Sequence, residues 1–560
     1  MIRRISLLFL LTIFSSVMIW AQQPKWAKKA AKAVFTLKTF SKDGSMLAST
    51  NGFFISQDGM AVSNFSAFRN AVKAVVIDND GKEWNVVSVM GANDMYDLVK
   101  FKVDVKKAQV IDVSTSPATT GEQLWLLPYA AKKTPECIVA TVNKTEKAFD
   151  DYLYYTLKIN GNQTLTSCPL INENGQLVAM LQQPASDNDS IEYAVSSQFA
   201  ANLKLTGLSI NDPILKSTKI KKDLPSDLNQ AILTLFVAPS VLDSVDYETL
   251  MTDFITKFPQ APDGYTAKAQ WALRNSKVAE ADDYMKKALS VSEKKDEAHF
   301  SYAKLIFQKE VYKPTVEYPS WSLDKAVEEA DAAYAANPLP SYQELKAQIR
   351  YAQKRYADAF DIYSALSKTS LRSAELFFAA ARCKEMLRDT TGMIAQLDSA
   401  ISTFDRPYLK AAAPYLLARA QALMSVRKYR DAVLDFNDYE KLMPTEVTDN
   451  FYYIREQCEM EGHLFQQALN DIKIAISKSP QTAIYYAEKA SIEVRVGYYD
   501  DAIKSAQECI RVDEKLSDGY LFLGLAQCLK NQKVEGLKNL QKAKQLGNDQ
   551  ADVLIEQYGK

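Results

Sequence analysis

Histidine is almost missing from this chain, which holds only His299 and His463 in 560 residues. Everything ahead of His299 must work without an imidazole, the side chain that most often moves protons near neutral pH. The two histidines stand alone in helical sequence and read as packing or surface residues. Cysteine is scarce as well. The six, Cys137, Cys168, Cys383, Cys458, Cys509 and Cys528, include no CxxC pair. Thiolates and imidazoles at metal-binding spacing are lacking, and neither a metal nor a cofactor is expected. Two readings of the cysteines stay open: small buried thiols, or a bridge such as Cys509–Cys528 or Cys137–Cys168. Neither sign of charge is in excess, 67 Lys+Arg facing 68 Asp+Glu. The basic surplus of a nucleic-acid binder is therefore absent, and no nucleic-acid partner is expected.

Long apolar runs are confined to the start. Residues 5–20 are apolar apart from Thr12, Ser15 and Ser16, with Arg3 and Arg4 in front and Ala21 behind. That pattern predicts a cleavable signal peptide over 1–21, so that no membrane span remains after cleavage. An uncleaved membrane anchor is the alternative. No cysteine follows the run, which argues against a lipoprotein. The remaining length exceeds what one hydrophobic core serves, and two or more domains are expected.

What is present falls into two halves. Over 25–210 the chain carries short β-branched and aromatic runs at 33–39, 52–56, 74–78, 123–127, 137–142 and 176–181. Turn pairs stand between them at Asp43-Gly44, Asp58-Gly59, Asp80-Gly81 and Asn174-Gly175, which predicts an all-β barrel or sandwich. Residues 211–236, with Pro213, Pro225 and a lysine-rich stretch, read as a linker. Residues 237–550 carry helical periodicity, and 551–560 are taken as a tail.

The helical half repeats. Ala347 and Ala381 stand 34 apart, as do Ala490 and Gly524, with Ala420 between. Second helices carry Ala281/Met285/Ala288, Ala326/Ala330/Ala333, Ala359/Tyr363/Leu366, Ala432/Phe436/Tyr439, Ala468/Ile472/Ala475, Ala502/Ala506/Cys509 and Gly536/Leu540/Ala543. Prolines close units at Pro338, Pro444 and Pro480. This pattern resembles the tetratricopeptide repeat (TPR), in about eight units, and implies helical hairpins stacked into an all-α superhelix. The resemblance also implies a binding face on the first helix of each unit, three to four residues from the small residue. That places Glu344, Gln348, Tyr351, Phe378, Arg382, Glu385, Leu417, Gln421, Tyr453 and Gln457 toward a protein or peptide partner. Side chains on such a face are expected to lie off the core between repeats.

The β half has its own resemblance. Gly52-Phe-Phe-Ile-Ser-Gln-Asp-Gly-Met-Ala-Val-Ser-Asn64 resembles the stretch before the catalytic histidine of trypsin-like serine proteases of the bacterial HtrA type. Asp94-Met-Tyr-Asp-Leu-Val-Lys-Phe-Lys-Val103 resembles the aspartate segment, and Pro169-Leu-Ile-Asn-Glu-Asn-Gly-Gln-Leu-Val-Ala179 the stretch after the nucleophile. Ile191-Glu-Tyr-Ala-Val195 resembles the late strand of the cleft. The implied fold is a trypsin-like double barrel ahead of the TPR superhelix. Transferred residue by residue, the triad positions fall on Ser66, Asp97 and Thr166, and the family's flanking glycines on Thr164, Ser167 and Cys168. A hydroxyl nucleophile needs a base beside it, and Ser66 supplies none.

The expectation is a pseudoprotease domain fused to a repeat solenoid: an exported, periplasmic or secreted interaction protein of a bacterial envelope, leaning away from enzymes. The alternative is an exported serine-type endopeptidase with a non-standard residue set. In it, Lys100 or Lys158 would serve Thr166 or Ser167, or Cys168 would attack as a thiolate. A third reading makes the β domain a cap on the solenoid. Asp97 also has a plain role open to it, capping a turn.

Overall fold

The computed structural model describes residues 23–133, 137–147, 152–159, 165–183 and 191–559. The expected signal peptide over 1–21 and Thr164 lie outside them. The chain divides into two compact units, Met1–Ser292 and Glu293–Lys560.

The first unit holds two closed antiparallel barrels of six strands each. One runs β1 (Val34–Phe40), β2 (Met46–Phe54), β3 (Met60–Ser63), β6 (Leu98–Val103), β5 (Glu83–Asn93), β4 (Lys73–Ile77) around the wall. The other runs β10 (Pro169–Ile171), β11 (Leu177–Leu181), β12 (Ile191–Ser196), β9 (Leu153–Lys158), β8 (Ile138–Lys147), β7 (Gln123–Leu126). Strand side chains alternate between faces, and here both faces are apolar in places. On β2, Phe54 fills the first barrel, with Phe35, Leu37 and Phe101. Its neighbour Phe53 points the other way, into a layer shared with Val34, Leu98, Ile171, Leu177 and Met180. That layer joins strands of the first barrel to strands of the second. Leu124, Tyr155, Leu157 and Leu170 fill the second interior. Gly59 closes the β2–β3 turn at φ +93°, where an added Cβ would meet the Val103 carbonyl at 2.4 Å.

Residues 211–236, expected as a linker, are built into the first unit. Leu215 and Ile220 belong to the core of the first barrel. The Val89 N–H donates to the Lys221 carbonyl at 2.7 Å, and the Asp223 N–H to the Val89 carbonyl at 2.8 Å. Lys219 N–H reaches the Ala71 carbonyl at 2.8 Å. Residues 213–223 thus form a strap along β5, which shifts register on either side of Val89. Helices Leu228–Val237, Ser244–Lys257, Pro262–Arg274 and Val278–Val291 complete the unit. Asp227 caps the first of them through the Gln230 N–H, and Asp243 the second through the Val245 and Asp246 N–H groups.

The second unit is a run of helical hairpins, from Lys295–Tyr312 with Leu323–Ala336 to Ser517–Leu529 with Lys533–Gln545. Six hairpin turns each place a residue in the left-handed region, at Lys354, Arg388, Arg427, His463, Gly497 and Asn531. That is the usual way for a helix end to satisfy its last carbonyls, and it gives His463 a backbone role. The expected tail is a further helix, Gln550–Tyr558, whose Ala551 is fully buried beside Leu521 and Leu540. One hairpin's second helix, Thr390–Ile401, has Met393 where the others start with a small residue, and the repeat pattern passes over it. Between helices, Arg419 clasps Asp435 at 2.7 and 2.8 Å. One repeat on, Arg455 clasps Asp471 at 2.6 and 2.9 Å.

Candidate functional site

The β3 strand ends at Ser63, and a short 3-10 turn, Phe65–Phe68, follows. Phe65 and Phe68 anchor that turn in the first barrel's core, which leaves Ser66 facing solvent. Asp97 stands just before β6. Its Oδ1 accepts the Ser66 N–H at 2.6 Å, its Oδ2 the Ser66 hydroxyl at 2.8 Å, and its carbonyl the Phe65 N–H at 3.2 Å. The carboxylate therefore caps the turn and holds the serine that stands at the base position. Asn64 Nδ2 donates to the same Ser66 oxygen at 2.7 Å.

The loop before β10 meets this turn. Ser167 is fully buried, in the left-handed region at φ +65°. Its hydroxyl donates to Asn64 Oδ1 at 2.9 Å and accepts the Asn64 N–H at 3.1 Å. Thr166 is connected through its backbone, its carbonyl accepting Asn51 Nδ2 at 3.0 Å. The Ser63 hydroxyl fixes Asn51 in turn by donating to its carbonyl at 2.6 Å. A continuous path thus runs Asp97, Ser66, Asn64, Ser167 and crosses from the first barrel to the second. Ser66 gives its proton to Asp97 in this path and takes one from an amide.

The other candidate groups are placed elsewhere. Lys100 is buried, its Nζ donates to the Ala201 carbonyl at 2.9 Å, and burial holds its pKa below the usual lysine range. Lys158, at the end of β9, is exposed. The Cys168 thiol is fully buried, which pushes its pKa up to about 12 and leaves no thiolate for attack. All six cysteines are free thiols, so neither Cys509–Cys528 nor Cys137–Cys168 is bridged. Among the described residues no cluster could hold a metal ion, and no helix is long and apolar enough to cross a membrane.

In the second unit, the proposed partner face separates into two kinds of residue. Gln348, Arg382, Glu385 and Gln421 are exposed. Glu344 and Leu417 are half-buried, as are the three aromatic residues. Tyr351 lies under the Arg382 guanidinium and edge-on to Tyr356 at 5.2 Å. Phe378 meets Tyr415 of the next hairpin at 5.5 Å, and Tyr453 meets Tyr485 of the next hairpin at 5.2 Å. The expectation that this face lies off the inter-repeat core fails for Phe378 and Tyr453, because each ring bridges two repeats. Gln457 Nε2 donates to Glu456 Oε2 at 2.8 Å. Glu456 itself, unremarked in the repeat pattern, occupies the position where other first helices carry Ala or Gly. It is fully buried, and one of its oxygens has no partner.

Two closed six-stranded antiparallel barrels, joined by hydrogen bonds between the turn after β3 and the loop before β10, make the β part a trypsin-like double barrel. The helical hairpins that follow are TPR-like. No protein-family model matches the chain. Over 102 residues it is 32% identical to the small glutamine-rich tetratricopeptide repeat-containing protein 2 of Saccharomyces cerevisiae, covering 17% of this chain and 30% of that protein. The chain thus spans under a third of that relative's length. Among solved structures, it is similar to the active form of the Rv3671c protease from M. tuberculosis at 18% identity and TM-score 0.28, covering 32% of this chain and 82% of that one. The serine endoprotease from Yersinia pestis is similar at 16% identity and TM-score 0.28, covering 34% and 65%.

Proposed function

We propose that this is an exported, envelope-located interaction protein whose double barrel does not catalyse and whose hairpins bind a protein or peptide partner. The observation that carries the first part is the Ser66–Asp97 hydrogen bond at 2.8 Å. A base position filled by a hydroxyl that donates to the aspartate cannot take a proton from Thr166. The export reading rests on the sequence pattern of residues 1–21. The partner reading rests on the TPR-like hairpins and on the polar side chains that stay exposed there, Gln348, Arg382, Glu385 and Gln421.

The endopeptidase reading is the weaker, since Lys100 spends its ammonium on the Ala201 carbonyl. Fluorophosphonate labelling and casein turnover by the full chain test the proposal. Neither is expected. Labelling that Thr166→Ala removes would overturn it. Replacing Gln348, Arg382 and Gln421 together with alanine is expected to leave the melting curve in place and to cut recovery of crosslinked partners from cells.

A further inference from the structure

Between the strap and helix Ser244–Lys257 lies a cavity of about 550 Å³, within the size range of small-molecule sites. Part of its lining is apolar: Leu205, Leu215 and Ile220 from the barrel side, Leu242 and Leu250 from the helical side. The walls are pinned by two ion pairs, Lys221 with Asp253 at 2.6 Å and Lys257 with Asp223 at 3.2 Å. Those pairs use two of the three carboxylates in the lining and leave one, Asp246, beside three further lysines of the lining, Lys216, Lys219 and Lys222. Lys222 donates to the Thr218 carbonyl at 2.6 Å, and Lys216 to Asn211 Oδ1 at 3.4 Å. Among the described residues none of these three lysines has a carboxylate within ion-pair distance. Burial, and repulsion from Lys219, hold the Lys222 pKa below the ordinary lysine range, against the pull of Asp246.

We propose that this cavity binds a small amphipathic anion, an apolar chain ending in one carboxylate, with the chain on Leu205, Leu215 and Leu250 and the head on Lys219 and Lys222. The chemistry follows from the lining. A neutral chain would desolvate Lys222 without pairing it. A compact inorganic anion would leave the apolar wall wet, and a cationic amphiphile would be repelled. Asp246 restricts the head to a single negative charge.

The test is calorimetric titration of the intact chain with decanoate, kept below its micellar range. Decanol serves as the same chain without charge, and acetate as the same head without a chain. One decanoate per chain is expected, with decanol about tenfold weaker or more, the worth of a charge-assisted hydrogen bond, and acetate also at least about tenfold weaker because it buries no chain. Lys219→Gln with Lys222→Gln should weaken decanoate about tenfold and leave decanol where it was. Both lysines lie outside the core, so the melting curve should confirm an intact fold. Decanol binding as tightly as decanoate would overturn the proposal. So would a double variant that binds decanoate like the parent, no decanoate binding, or several decanoates per chain indifferent to the substitutions.

Discussion

Asn64 links the two loops that meet at the candidate site. It is 8% exposed, donates through Nδ2 to Ser66, accepts at Oδ1 from Ser167, and gives its own N–H to the Ser167 oxygen. Asn64→Ala strips the amide from a buried hydroxyl and should lower stability by about 1–3 kcal/mol, read from urea unfolding of the full chain. A second residue carries a pH dependence. Burial, with Glu488 nearby, raises the Glu456 carboxyl from 4.5 to about 8. A raised carboxyl binds its proton more tightly folded than unfolded. Its contribution is therefore whole below the unfolded value and is lost as pH rises through the folded one. Glu456→Gln, which cannot ionise, is expected to melt with the parent near about pH 4 and above it near about pH 9. Equal melting at both would show that the carboxyl titrates normally.

At the scale of elements, the repeated clasp between a first-helix arginine and a second-helix aspartate gives the next expectation. Arg455 and Asp471 are each 5% exposed, and Arg455 also reaches Glu440 at 2.6 Å. Arg455→Ala leaves Asp471 buried and unpaired, a loss of about 3–5 kcal/mol, to be read from thermal melting. This clasp leaves no trace in the pattern of small residues, because both partners are charged and 16 positions apart. The strands were far more legible. β-branched runs and Asp-Gly or Asn-Gly turns locate β1, β4, β7 and β11 to within about two residues of the observed bounds. The hairpin turns were not, since five of the six that hold a left-handed residue use Lys, Arg, His or Asn in place of glycine. For the candidate site, Ser66 and Asp97 follow from motif alignment alone. Asn51 and Asn64 do not, because an amide flanking a motif position carries no signal until the fold brings the partner loop to it.

For the molecule as a whole, the strap redraws where the β part ends. Composition sets Lys216, Lys219, Lys221 and Lys222 apart as linker-like, whereas Leu215 just before them and Thr218 and Ile220 among them are buried. Chains ending at residue 210 and at Ser292 are therefore expected to differ. The shorter lacks Leu215 and Ile220 from its first core and should be less stable by at least about 3 kcal/mol in urea unfolding. Equal stability would mean that the strap merely rests on the barrel. The same strap also bears on the order in which the chain can mature. A polypeptide made from its N-terminus has all six strands of the first barrel in hand once β6 is synthesised. It still lacks the residues that plug that barrel's core and pair with Val89, and these arrive only after the second barrel has been made in full. Of the two barrels, the one translated first is therefore the last whose core can be completed.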